Sequence, residues 1–160
     1  MKYVAMAVIL CGVMLFCREY ALCRRKRLCE CEGFTSLLLY MRTKLSCYLF
    51  TLREVGENFE CEALCRVGLL SALKECGSAE EAYTSVRNRL NISREADGVL
   101  MDLFKKIGTG YLDDEISLID RAYTELLKIT EGERRDTPKD LKVALILCTS
   151  VGIGLIIAFL

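Results

Sequence analysis

The last eighteen residues of the chain carry no charge. As a helix rising about 1.5 Å per residue, residues 143–160 would span about 27 Å, close to the roughly 30 Å hydrocarbon thickness of a bilayer. Gly152 and Gly154 would weaken a soluble helix but are tolerated in a membrane one. A second charge-free run covers residues 3–17, about 22 Å as a helix. Arg18 and Glu19 interrupt it, residues 20–23 resume it, and Arg24, Arg25, Lys26 and Arg27 close it. Taken alone, the first run has the length of a signal-peptide core. However, Arg18 and Glu19 stand where a small-residue cleavage site is required. Leu10 and Leu22 precede Cys11 and Cys23, so no lipid-attachment signal is present either. An uncleaved anchor fits better, with Arg18 reaching toward the headgroups and Tyr20 at the interface. A soluble protein with two terminal core helices is the alternative, and it would need a large core to hide them.

Charge sets the orientation. The chain holds 22 Lys/Arg and 22 Asp/Glu, yet they are segregated: residues 28–140 contain 15 basic and 21 acidic side chains. Basic residues crowd the inner flanks of both runs: Arg18 and Arg24 to Arg27 after the first, and Arg134, Arg135, Lys139 and Lys142 before the second. The positive-inside rule places the middle block in the cytoplasm and both termini across the membrane. The expected division is an anchor at 1–27, a helical domain at 28–140 and a second anchor at 141–160. The acidic middle block excludes a strongly basic nucleic-acid footprint.

Within the middle block, apolar residues recur at three- and four-residue steps. Phe34, Leu37, Leu38, Met41, Leu45, Tyr48, Leu49, Leu52 and Val55 predict one long helix over about 32–55, ended by Gly56-Glu57-Asn58. A second helix is expected over about 60–76, with Leu64, Val67, Leu70 and Leu73 inward and Gly77 as its left-handed stop. Ser78 and Glu81 have capping-box spacing for a third, with Ala82, Val86 and Leu90 on its inner face. Ser93 caps a fourth through Ile107, with Val99, Leu100, Leu103 and Phe104 inward, and Gly108-Thr109-Gly110 breaks it. A fifth runs over about 112–133 with Leu112, Ile116, Ile119, Tyr123, Leu126 and Leu127 inward, and Thr137-Pro138 closes the block. No segment alternates as a strand does. The fold class is all-α: an antiparallel bundle of five to six helices flanked by terminal transmembrane helices.

The chain has no His, which removes Ser-His-Asp and Cys-His catalysis and His-ligated metals. Ten Cys remain. Cys29-x-Cys31 and Cys61-x3-Cys65 are conceivable thiolate ligands, but neither is a CxxC pair, and Cys61 and Cys65 make an ordinary one-turn helical pairing. Reduced, packed thiols are the expectation for a cytoplasmic block, whereas a disulfide scaffold would need the opposite topology. Gly108-Thr109-Gly110 lacks the strand and the Lys-Ser/Thr of a phosphate loop. Asp113, Asp114 and Glu115 are adjacent on a helix and so cannot converge on one ion; a dipole-stabilised helix start suits them. No enzyme, cofactor or metal site and no small-molecule substrate is expected. An enzyme or redox protein using the Cys pairs and an exported disulfide-bonded protein are the competing classes.

Layout and local motifs together resemble the stage III sporulation protein AB family of endospore-forming bacteria. Cys76-Gly-Ser-Ala-Glu-Glu-Ala-Tyr83 is similar to that family's Gly-x-Ala-x-Glu-Ala-[Trp/Tyr] segment. Ile107-Gly-Thr-Gly-Tyr-Leu-Asp-Asp-Glu-Ile116 resembles its Leu-Gly-x-Ser-Asp-x-x-x-Gln-Ile segment. Tyr111 stands where Asp is usual, Glu115 where Gln is usual, and Thr51-Leu52 where the family tends to show Pro-Leu. The resemblance implies a cytoplasmic bundle similar to the inner-membrane F protein of type II secretion. It also implies a platform role in the channel between mother cell and forespore, in the outer forespore membrane. The implied partners are a secretion-type ATPase and other channel subunits. Acidic helix starts at Glu80, Glu81, Asp113, Asp114 and Glu115 are the candidate partner-binding surface, against the plainer reading that they serve solubility. A generic membrane-anchored adaptor outside sporulation is the alternative.

Overall fold

The computed structural model describes residues 2–47, 51–108 and 111–159, with side chains described for 8, 11–45, 51–108 and 111–154. It is helical, with no strand among the described residues. The helices are α1 (Lys2–Cys47), α2 (Leu52–Asn58), α3 (Glu62–Val67), α4 (Leu69–Glu75), α5 (Ala79–Val86), α6 (Arg94–Lys106) and α7 (Leu112–Phe159), with a 3-10 turn at Arg87–Arg89 after α5. Two compact units divide the chain: Met1–Arg25 with Glu133–Leu160, and Lys26–Gly132.

The unit Lys26–Gly132 has a continuous apolar core. Phe34, Leu37, Leu38, Met41 and Leu45 of α1 are buried, as their spacing predicts. Tyr48 and Leu49, expected on the same stripe, lie outside the described residues. The predicted helix over 32–55 does not run through: α1 ends at Cys47 and α2 starts after Thr51. Thr51 is the reason. Its hydroxyl accepts the Glu54 N–H at 3.3 Å while Glu54 Oε2 accepts the Thr51 N–H at 2.9 Å. This reciprocal pair satisfies two otherwise orphaned donors and begins a new helix. The expected end at Gly56-Glu57-Asn58 is where α2 stops, at Asn58, although Gly56 itself does not break the helix. It is buried within α2, where an added Cβ would sit 2.8 Å from the Leu70 carbonyl oxygen of α4. Hydrogen at Cα is what lets the two helices approach.

The helix expected over 60–76 is two. α3 and α4 meet at Gly68, whose φ of 92° is left-handed and whose N–H caps α3 by reaching the carbonyls of Leu64 and Cys65. Glycine adopts that conformation without the Cβ penalty of other residues. Gly77 is not the stop of α4; Cys76, in extended conformation, ends it. Ser78 then caps α5, accepting the Glu81 N–H at 3.2 Å, and Ser93 caps α6, accepting from Ala96 at 3.2 Å. Gly108, with φ 85°, ends the segment after α6.

Leu64, Val67, Leu70, Leu73, Ala82, Val86, Leu100, Leu103, Phe104, Ile107, Ile119 and Leu126 are all buried, as expected. Leu112 is not; it is exposed at the first residue of α7, before the helix reaches the core. Periodicity alone missed Tyr83, which has no exposed surface. Its ring stacks on Phe104 with centroids 5.0 Å apart and meets Phe34 edge-on at 6.2 Å.

In the unit Met1–Arg25 with Glu133–Leu160, the first part of α1 and the last part of α7 run antiparallel. Arg24 reaches both Glu133, at 3.3 Å, and Asp140, while Cys17 is joined to Cys148 by a disulfide. Pro138 does not close α7, which runs through it. An interior proline forfeits one backbone hydrogen bond and crowds the preceding turn. Arg24 contacts a carboxylate on either side of Pro138. Among the described residues no helix is long and apolar enough to cross a membrane. The outer parts of both charge-free runs, at residues 3–7, 9–10 and 155–160, lie outside the described side chains.

Candidate functional site

Five carboxylates are the sequence candidates for a partner surface, and the structure distributes them between two helix starts. Asp113 and Asp114 open α7, and both are exposed. Glu115 is half-buried and is engaged internally, accepting the Gly108 N–H at 2.9 Å. It ties the segment just after α6 to the first turn of α7 and so is a fold contact. Glu80 is half-buried and Glu81 exposed in the first turn of α5. Among the described residues no ion pair engages Glu80, Glu81, Asp113 or Asp114. Nor does any hydrogen bond or ion pair among them link the α5 start to the α7 start. All four sit where the positive end of a helix dipole stabilises negative charge. Tyr111 is 86% exposed beside them, and Thr51 is the cap of α2.

Perturbed ionisation is found elsewhere, inside the bundle. Tyr83 donates its phenol O–H to Asp97 Oδ1 at 2.8 Å, and Arg87 grips the same carboxylate with Nε at 3.0 Å and its terminal nitrogen at 2.5 Å. The Arg87 hydrogen bond holds the Asp97 carboxyl below its ordinary range. Burial, followed by the bond to Asp97, pushes the Tyr83 phenol well above its own. This triad is a strut between α5 and α6: it satisfies a phenol that is otherwise inside the core. Glu30 is the other case. It is 1% exposed, its Oε2 accepts the Asn91 N–H at 2.5 Å, and Lys26 Nζ lies 3.9 Å from Oε1. Oε1 has no hydrogen bond. Burial therefore raises its pKa, against the opposing bond from Asn91 and the charges of Lys26 and Arg66. Sequence reasoning missed both. Neither has a motif, because partners 10 to 61 positions away create them.

A groove between α6 and α7 is lined by Arg94, Glu95, Gly98, Asp102, Arg121 and Glu125, with about 340 Å³ of space. Its charges are largely satisfied along their own helices, Arg121 with Glu125 and Asp102 with Lys106. Among the described residues no group of three or more His, Cys, Asp or Glu side chains is placed to hold a metal. Cys29 and Cys65 are exposed free thiols, and Cys61 is half-buried, its sulfur close to Gly33.

The distribution of exposed apolar surface separates the two units. Val8, Met14, Leu15, Phe16, Leu22, Val143, Leu145, Ile146, Leu147, Val151 and Ile153 are all about half exposed or more, on the terminal helices. The bundle Lys26–Gly132 shows only Leu39, Tyr111 and Leu112 among its described large apolar side chains. Exposed apolar side chains concentrated on one unit mark it as an interaction surface. Comparison of the chain with protein-family models, with curated proteins and with solved structures returned no match.

Proposed function

We propose that this chain is a membrane platform protein whose helical unit docks a cytoplasmic partner, as the stage III sporulation AB resemblance implies. The observation that carries the reading is the concentration of exposed apolar side chains on the antiparallel terminal helices. A bilayer would cover that surface, and the uncharged runs at 3–17 and 143–160 continue it. Basic residues at the inner flanks favour a cytoplasmic middle unit. In this reading the protein performs no chemistry. It holds a secretion-type ATPase at the membrane of the channel between mother cell and forespore, on the mother-cell side of the outer forespore membrane. Nucleotide-driven motion of the ATPase reaches the other channel subunits through the bundle.

The contact surface proposed for that ATPase is narrower than the sequence candidates. Asp113, Asp114 and Glu81 are exposed and unengaged, whereas Glu115 is occupied by Gly108. A basic partner surface would be steered to such carboxylates, more strongly at low salt.

The deciding experiment is topology. On a background with the native cysteines replaced, Ser78→Cys and Leu160→Cys are labelled in intact cells with an impermeant maleimide. Protection at position 78 with labelling at 160 supports the reading, and capture of the ATPase by the full chain is then measured with Asp113→Lys and Asp114→Lys. Labelling at 78 from outside overturns it.

A further inference from the structure

Membrane anchoring requires two apolar helices but no covalent bond between them. The structure nonetheless joins Cys17 of α1 to Cys148 of α7, residues separated by 131 positions. Alignment of the two helices does not depend on that bond. About two turns after Cys17, Arg24 holds Asp140, about two turns before Cys148, and Glu133, about four turns before it, and its Nε donates to the Tyr20 hydroxyl at 3.3 Å. With the bond opened, the Arg24 clasp would keep the two thiols in the same register, which shortens the search for closure.

The sulfurs are also reachable. Both cysteines are half-buried and line an apolar groove of about 490 Å³ with Met14, Leu145 and Ile153. Cys11, an exposed free thiol, is six positions before Cys17, about 240° around the helix, and so does not share its face.

We propose that Cys17 and Cys148 form a reversible redox latch between the two terminal helices, closed by an uncharged disulfide entering through the groove. One cysteine thiolate attacks the oxidant disulfide, forming a mixed disulfide and releasing one thiol. The other thiolate displaces the second thiol and forms the Cys17–Cys148 bond. Two electrons pass from the protein sulfurs to the oxidant, and the two protons leave with its thiols. A dithiol reverses the sequence. Closed, the latch makes the two helices one body; open, the Arg24 clasp still joins them. The apolar lining selects against a charged disulfide such as that of glutathione, which would leave its charges unsolvated in the groove. The inference concerns the helix pair itself, so its outcome is independent of the membrane topology.

The test uses the full chain in detergent micelles, reduced and then exposed to 2-hydroxyethyl disulfide, quenched, alkylated and digested with trypsin. Closure yields one joined species, residues 3–18 linked to 143–160, with fragmentation placing the bond on Cys17. The expected result is that this species dominates after oxidation, disappears with dithiothreitol, and forms several-fold more slowly with glutathione disulfide. Arg24→Gln, which loosens the clasp without touching the sulfurs, should slow closure several-fold. Cys148→Ser should leave Cys17 as a mixed disulfide. Recovery of both cysteines in alkylated form after oxidation of the wild-type chain would overturn the latch. So would preferential joining of Cys17 to another cysteine. Equal rates with the two oxidants would overturn the groove as the route of entry.

Discussion

Gly56→Ala sets two effects of opposite sign against each other, and the structure decides between them. In a helix interior, alanine is favoured over glycine by about 1 kcal/mol. Gly56 is the third residue from the end of the seven-residue α2, so its share is smaller. Against this, the new Cβ would lie 2.8 Å from the Leu70 carbonyl oxygen, 3.0 Å from Lys74 Cγ and 3.4 Å from Leu73 Cβ. The lysine can move, but the carbonyl is backbone in α4, so relief requires α2 to shift from α4. Overpacking of this kind costs about 1–3 kcal/mol. The net expectation is a loss of about 1–2 kcal/mol, or roughly 4–8 °C in the melting temperature of a unit of this size. Gly98→Ala is the control: it sits in α6 with nothing within 4 Å of the added carbon, so propensity acts alone and stability should rise by about 0.5–1 kcal/mol. Helical ellipticity at 222 nm is followed on heating for wild type and both variants in one detergent. If Gly56→Ala melts as high as Gly98→Ala, the close approach of α2 to α4 is wrong.

Other substitutions probe the remaining joints. Gly68→Ala should cost about 1–2 kcal/mol by strain at a φ of 92°, since the added carbon would meet only Arg89 Nη1, an unobstructive 3.7 Å away; thermal melting reads it. Tyr83→Phe removes the donor to Asp97 but leaves Arg87 in place, for a loss of about 1 kcal/mol, while Phe104→Ala should cost about 3–5 kcal/mol by emptying the stacked position. Asp97 has a lowered pKa, so it stabilises the fold above its ordinary value of 3.8 and this is lost as pH falls through its folded value. Asp97→Asn should flatten that acid limb in melts taken across pH 2–5. Glu30 has the opposite sign: its raised pKa means the protonated form suits the fold, and stability falls as pH rises from 4.5 through the folded value. Glu30→Gln keeps an acceptor for Asn91 without the buried charge, so it should exceed wild type in stability at neutral pH, the gap narrowing toward pH 4.5.

Helix type and core membership were legible because they rest on local spacing. A stripe such as Phe34, Leu37, Leu38, Met41 and Leu45 has one low-energy arrangement, with that face buried. Caps with an oxygen side chain three positions before a donor were legible at Ser78 and Ser93 for the same reason. The Thr51–Glu54 pair had identical spacing and went unread because the apolar stripe continues past it into Leu52 and Val55. Periodicity therefore joined two helices that a capping box separates. The Gly68 break has no such local signature: Leu64, Val67, Leu70 and Leu73 keep their spacing through it, and only the left-handed φ of one glycine marks the join. Pro138 fails in the opposite sense. Its local rule predicts a stop, yet α7 continues through it.

The candidate site follows the same division. Which acids exist, and that they open helices, is written locally. Which of them remain available to a partner is not. Glu115 stands beside Asp113 and Asp114 in the same acidic helix start, yet it is withdrawn by the Gly108 N–H, a donor freed where Ile107 leaves α6 in extended conformation. A carboxylate so engaged gives up a bond worth about 1.5–3 kcal/mol if it turns to another cation, whereas Asp113 and Asp114 give up only water. Charge reversal at the three positions should therefore separate. Glu115→Lys should lower the melting temperature of the full chain most, because it loses the Gly108 bond as well as the helix-dipole interaction, while Asp113→Lys and Asp114→Lys should lose the dipole interaction alone, about 0.3–1 kcal/mol each, and weaken partner capture. Equal melting temperatures for all three variants would return Glu115 to the candidate surface and remove it from the turn.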